Sequence, residues 1–255
     1  MTAEVARTAL VTGASRGIGR ATAERLGRPG TVVAVHYGHD GTAAKDTVSA
    51  IERNGGRAFA VRAELGAPDA AEVLFAGVEA GLREQTGGTA LDILVNNAGI
   101  GCSGDIEHLT PEQLDRALAV NVRAPVFIVQ RALPLMGPGG RIVNISSLAA
   151  RVAHPRIIGY ALSKGALEVF GHSLARHLGE RGITVNTVAP GLIDTDFHGD
   201  RFRGDPAAAA DAAAQSAFGR LGRAADVADA VAFLASEEAR WITGERLETA
   251  GGAHL

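Results

Sequence analysis

Tyr160 and Lys164 stand four residues apart in GYALSKGALE (159–168), among small and apolar neighbours. In a helix that spacing puts both side chains on one face. An unperturbed tyrosine has a pKa of about 10 and is a poor base at neutral pH. A lysine ammonium beside it stabilises the phenolate and lowers that pKa. Tyr160 can then exchange a proton with a carbonyl or alcohol oxygen near neutral pH. Ser147, thirteen residues earlier at the end of RIVNISS, offers a hydroxyl to the same oxygen. A lone Y-x-x-x-K is just as often a surface pair, so further motifs must decide.

A second set of residues fits phosphate. TGASRGIGR (12–20) holds Gly13, Gly17 and Gly19, with Ser15, Arg16 and Ile18 between them. Glycines allow a sharp turn and a close approach of backbone to pyrophosphate, and a following helix adds free N–H groups and a positive dipole end. The spacing is G-x-x-x-G-x-G, neither the common G-x-G-x-x-G fingerprint nor a Walker A loop. A plain tight turn is the alternative. An acidic residue ending the second strand would bind the ribose 2′-hydroxyl of NAD. Here that strand ends VAVHYGHD, with His36 in the acid's place and Tyr37 after it. Without a carboxylate a 2′-phosphate is tolerated, and the planar fork of Arg16 can pair with it. NADP(H) is therefore favoured over NAD(H), although Arg16 also fits a solvated turn. His36 and His39 form an H-x-x-H with no supporting ligands, so no metal is expected.

The elements that must position these residues alternate. Strands are expected at 8–12, 31–37, 57–63, 91–97, 141–146, 183–189 and, more weakly, 246–250. The early ones are continuous apolar runs, the pattern of strands buried on both faces of a parallel sheet. Helical periods fill the gaps, including one long helix over 111–136 and another from Tyr160 to Gly182. Strand–helix alternation implies right-handed crossovers and an α/β fold: a Rossmann-like, doubly wound, seven-stranded parallel sheet with helices on both faces. Thr110-Pro111-Glu112 reads as a helix start and Asn54-Gly55-Gly56 as a stop. With no repeat or Pro/Ser-rich linker, residues 1–255 read as one dinucleotide-binding domain. The alanine-rich 205–219 interrupts the rhythm, as a lid over 193–218 or a solvated surface helix.

The totals agree. Hydrophobic residues make up 46% and charged residues 21% of the 255, as in soluble globular chains. A net charge of -3 gives no basic field for nucleic acid or anionic membrane. No apolar run reaches the roughly 18 residues of a membrane span, and the N-terminus lacks a signal peptide's apolar stretch. One cysteine, Cys102, suits a reducing compartment. A cytoplasmic location is expected.

TGASRGIG, NNAG (96–99), Asn121 in AVNV, Ser147 in NISS, Tyr160 with Lys164, and APG (189–191) occur in this order. Together they resemble the short-chain dehydrogenase/reductase family of NAD(P)-dependent oxidoreductases, over about residues 6–252. The resemblance implies that Tyr160 is the general acid in carbonyl reduction and that Lys164 lowers its pKa and binds the nicotinamide ribose. It implies that Ser147 orients the carbonyl and that Asn121 holds a water relayed to Lys164. Asn97, Ala98 and Gly99 would approach the cofactor; Pro190, Gly191, Ile193 and Thr195 would line its nicotinamide side. Glu64 and Leu65 would face the adenine. Glu64 departs from the usual aspartate, and Ala250 replaces the aspartate of a V-D-G-G ending; the latter is expected to affect an interface or terminal turn. Val152, His154 and Phe197 are candidate substrate contacts, or ordinary packing.

The nearest likeness is to bacterial 3-oxoacyl-(acyl-carrier-protein) reductases and stand-alone ketoreductases. It implies a small carbonyl or alcohol substrate, on a carrier protein or free, and a homotetramer. Arg116, Arg123 and Arg131 recur at roughly helical spacing and would be the carrier-facing patch, or a solvated face. An NADP(H)-binding regulator or scaffold without turnover is the alternative.

Overall fold

The computed structural model describes residues 7–198, 202 and 204–253. Among the described residues, nine strands and eight α-helices follow one another. β1 (Arg7–Val11), α1 (Gly17–Leu26), β2 (Thr31–Tyr37), α2 (Gly41–Arg53), β3 (Arg57–Arg62), α3 (Ala70–Thr86) and β4 (Ile93–Asn96) form the first half. α4 (Pro111–Leu118), α5 (Ala124–Ala132), β5 (Arg141–Ile145), α6 (Ile158–Leu178) and β6 (Thr184–Pro190) lead into the second. β7 (Ile193–Asp194), α7 (Pro206–Ala214), β8 (Gly222–Arg223), α8 (Ala224–Leu234) and β9 (Arg246–Thr249) complete it. The main sheet has seven parallel strands in the order β3-β2-β1-β4-β5-β6-β9, as expected. The short β7–β8 pair was not foreseen; it frames the alanine-rich insertion.

Two cores follow from the two-residue period of a strand. Leu10 packs with Leu74, Phe75 and Leu94 on one face. Ala9 and Val11 pack with Val33, Val35 and Val95 on the other. All three β1 residues are fully buried, which is why that strand has no polar alternation. The strand order reverses between β1 and β4, so the loops after β1, β4, β5 and β6 open onto one crevice at the strands' carboxyl ends.

The expected long helix over 111–136 is broken. α4 starts on Thr110 through a reciprocal capping box with Gln113, as its sequence signalled. It then passes into a π-helical turn, Ala119–Arg123, before α5 begins with Pro125 in its first turn. Pro125 has no N–H to continue the α ladder, and the widened turn carries the buried Asn121. α6 ends through a 3-10 turn at Gly182, whose φ of 67° favours glycine. The alanine-rich segment forms the short helix α7, which ends at Ala214 and is capped by Asp205 accepting from Ala207 and Ala208 N–H. Within the expected lid, residues 199–201 and 203 lie outside the described residues. Among the described residues no helix is long and apolar enough to cross a membrane.

Candidate active site

A cleft of about 910 Å³ lies at the switch point. The turn after β1 forms one wall. Gly13 adopts a φ of 63° and Gly17 a φ of 57°, conformations that favour glycine. A Cβ at Gly19 would fall 2.2 Å from the Gly13 carbonyl oxygen, so α1 can approach the turn only without a side chain there. Asn97 Nδ2 donates to the carbonyls of Thr12 (2.8 Å) and Gly13 (3.1 Å), tying the end of β4 to this turn. Arg16, at the helix N-cap, makes no capping bond, and the first turn of α1 holds no acidic residue. Its N–H groups and dipole are left for an anion.

His36 answers differently from its sequence reading. It was expected at the cofactor's ribose, but its ring is buried and both nitrogens are engaged. Nδ1 accepts from Gly13 N–H at 3.0 Å, so Nε2 carries the proton and donates to the Ala63 carbonyl at 3.0 Å. Burial pushes its pKa down to about 4, against smaller opposing effects of the Ala63 bond and Glu64. The histidine is therefore a neutral brace between β2, the residue after β3 and the glycine turn, at the wall of the cleft. Tyr37 does not line the cleft; its ring lies against Gly41 at the start of α2. Glu64 does line it, and its carboxylate meets His39 Nε2 at 2.9 Å. His39 was missed as a site residue, because nothing in the sequence showed that β3 would bring Glu64 beside it.

The opposite wall carries the proton-transfer residues. Tyr160 and Lys164 share one face of α6, and Ser147 follows β5. Ser147 and Tyr160 both line the cleft, and the Ser147 hydroxyl is close enough to favour the phenolate slightly. Lys164 is buried and donates from Nζ to the Ile145 carbonyl at 2.8 Å. Its Nζ lies 5.8 Å from the centre of the Tyr160 ring. The expected lowering of the tyrosine pKa is not found. Burial pushes it up to about 12, only partly offset by the nearby Ser147 hydroxyl, and burial lowers Lys164 to about 8. Desolvation outweighs attraction at that separation, so the phenol is held protonated at neutral pH.

Asn121 is behind this wall rather than on it. Its amide exchanges two bonds with the Ile100 backbone, both 2.9 Å, and Nδ2 also donates to Ser163 Oγ at 3.0 Å. Gly99 lies between it and the lysine: a Cβ there would sit 3.2 Å from Lys164 Nζ and 3.3 Å from Asn121 Oδ1. Ser15, Ile18, Leu65, Ala98, Pro190, Gly191, Ile193 and Thr195 all line the cleft, as do the substrate candidates Val152, His154 and Phe197. Phe197 leans over Tyr160 with ring centroids 5.8 Å apart. Phe218, beyond α7, is a further lining aromatic that the sequence did not single out. Ala250 lies in the terminal turn, as expected, and that turn also lines the cleft against Gly191. Among the described residues no cluster could hold a metal ion. The glycine turn, the open N-terminus of α1 and the length of the cleft together fit a dinucleotide.

Residues 13–254 match the family model described as enoyl-(acyl carrier protein) reductase. Versicolorin reductase 1 of Aspergillus parasiticus is 40% identical, covering 97% of this chain and 96% of that protein. The angucycline C-6 ketoreductase LanV, solved with bound NADP, is 53% identical with a TM-score of 0.93 over 98% of this chain and 96% of that one. The reductase LugOII, described as catalysing keto-reduction at C1 during lugdunomycin biosynthesis, is 51% identical with a TM-score of 0.94, and each chain is covered in full (100%). The chain belongs to the short-chain dehydrogenase/reductase family and is an oxidoreductase.

Two outcomes follow from the braced turn. His36 titrates at about 4 when folded against about 6.5 in an unfolded chain. The unfolded state therefore binds its proton first as pH falls. The stability this residue contributes is complete above about pH 6.5 and is lost towards pH 4. Chemical denaturation at pH 7 and 4.5 should show the wild type losing about 2 kcal/mol more than His36→Gln. Gly19→Ala should destabilise by about 1–3 kcal/mol in the same assay, because overpacking against a backbone carbonyl exceeds alanine's helix preference.

Proposed function

We propose that the protein is an NADPH-dependent ketoreductase that reduces a ring ketone on a flat, multi-ring substrate, with Tyr160 as proton donor. The observation that carries this is Ser147 and Tyr160 lining the same cleft as the glycine turn, with buried Lys164 one helical turn beyond Tyr160. NADP(H) is the cofactor. When bound, it supplies the reducing equivalents to the carbonyl carbon. The N-terminus of α1 would hold the pyrophosphate, and Arg16, exposed beside the cleft with no carboxylate paired to it among the described residues, would hold the 2′-phosphate.

Ser147 holds the substrate oxygen, and Tyr160 gives it a proton as the carbonyl becomes an alcohol. A phenol at about 12 is fully protonated at neutral pH, the form reduction requires. Alcohol oxidation needs the phenolate, so its rate rises with pH over a range where reduction does not. Lys164 replaces the proton through its own ammonium, and the Asn121 brace keeps the Gly99 backbone open between them.

The multi-ring preference is supported by Phe197 over Tyr160 and by Phe218, two aromatic faces at the mouth on which a planar substrate stacks. LanV is named an angucycline C-6 ketoreductase, and LugOII is named for keto-reduction at C1 during lugdunomycin biosynthesis. A carrier-protein-borne 3-oxoacyl chain is less favoured. Arg123 donates to the Gly66 carbonyl, and Arg131 pairs with Glu79 and caps the Phe75 ring. Of that basic series, Arg116 alone faces the cleft.

The test is NADPH consumption with α-tetralone, phenanthrenequinone, ethyl acetoacetate and an acetoacetyl thioester, with cofactor affinity read by fluorescence titration. Ring ketones should be reduced fastest, and Tyr160→Phe should bind NADPH normally while kcat falls by about 100-fold or more. Faster reduction of the thioester would restore the acyl-carrier reading. NADPH binding without turnover of any ketone would favour a regulator.

A further inference from the structure

Beside Ser147, three elements meet at one carboxylate. Glu168 lies on α6 one turn beyond Lys164 and two beyond Tyr160, on the same helical face. Ser146 Oγ donates to Glu168 Oε1 at 2.7 Å, and Arg246 Nε of β9 donates to the same oxygen at 2.7 Å. Arg246 Nη2 also donates to the Ser147 main-chain carbonyl at 3.3 Å. The pair is shielded: the Arg246 side chain is 8% and that of Glu168 15% exposed. Arg246 further pairs with Glu248, and Arg151, in the loop after Ser147, comes within 3.6 Å of Glu168 Oε2.

We propose that Glu168 and Arg246 are positioning residues that fix the Ser147 hydroxyl relative to Tyr160. The inference rests on the reading of Ser147 and Tyr160 as the reacting pair. Neither residue touches the cleft where substrate and cofactor bind. Glu168 anchors the Ser146 side chain to the helix that carries Tyr160. Arg246 holds the next peptide through its second nitrogen, which a lysine cannot do while also keeping Glu168. Ser147 sits in extended backbone, and its Oγ accepts from Ala149 N–H. The clamp on its carbonyl and on its neighbour therefore sets where the hydroxyl points. Small misplacements of a reacting group cost large factors in rate.

The experiment compares Arg246→Lys and Glu168→Gln with the wild type, using NADPH and phenanthrenequinone as the probe ketone. Arg246→Lys keeps the charge and loses the Ser147 contact; Glu168→Gln keeps the shape and loses the charge. Both should lower kcat roughly 10- to 100-fold, with NADPH affinity and melting temperature near wild type. The decisive readout is the cycle with Ser147→Ala. Adding Arg246→Lys to Ser147→Ala should produce no further loss in kcat, because the hydroxyl it positions is gone. Additive losses, or an equal fall in NADPH affinity and melting temperature, would overturn the clamp while leaving Ser147 catalytic. An unchanged kcat in Ser147→Ala alone would overturn the reading of Ser147, and the clamp with it.

Discussion

A buried ammonium at the junction of β5 and α6 organises the site. Lys164 is almost wholly out of water, and its Nζ is held by the last carbonyl of β5. A buried cation without a partner would be costly, so α6 must sit in one register against that strand end. That register sets the rest. It puts Tyr160 one turn earlier beside Ser147, Ser163 against Asn121, and Glu168 one turn later beneath Ser146. The functional residues of α6 are thus consequences of a single helix–strand contact.

The cofactor side is built on different physics. Around the glycine turn, closeness replaces charge. Gly19 and Gly13 bring α1 against β1, Asn97 stitches β4 to the same carbonyls, and His36 closes the turn from β2. No side chain caps the N–H groups at the start of α1. A neutral histidine serves here because each ring nitrogen has an opposite task, one accepting and one donating. A carboxylate could accept from Gly13 but would meet the Ala63 carbonyl with like polarity.

The insertion between β7 and β8 connects the two sides. Ser216 Oγ and Ala217 N–H both donate to the Gly251 carbonyl. The segment after α7 is thereby pinned to the chain's last described turn, and Ala250 in that turn packs on Gly191. Phe218 is held at the mouth by the same tie. Ala250 therefore belongs to the wall of the cleft.

The fold was legible because its signals are local. Continuous apolar runs marked strands buried on both faces, and glycine, proline and threonine marked where helices start and stop. The motif residues were also legible as a set, since a glycine turn, a serine after a strand and a Tyr–Lys pair keep fixed places along the chain. What the sequence determined was which residues carry chemistry and the order of the elements that bear them. It did not determine environment. The break at Asn121 depends on a widened helical turn fitting against Ile100 and Ser163. The high pKa of Tyr160 depends on how much water the assembled cleft removes. His36 turned inward because β3 presents the Ala63 carbonyl to it, and Arg246 reached Glu168 because β9 closes the sheet beside β6. Each of these is a contact between residues distant in the chain. Solvent exclusion and hydrogen-bond geometry exist only once the elements are packed, so the tertiary structure alone decided them.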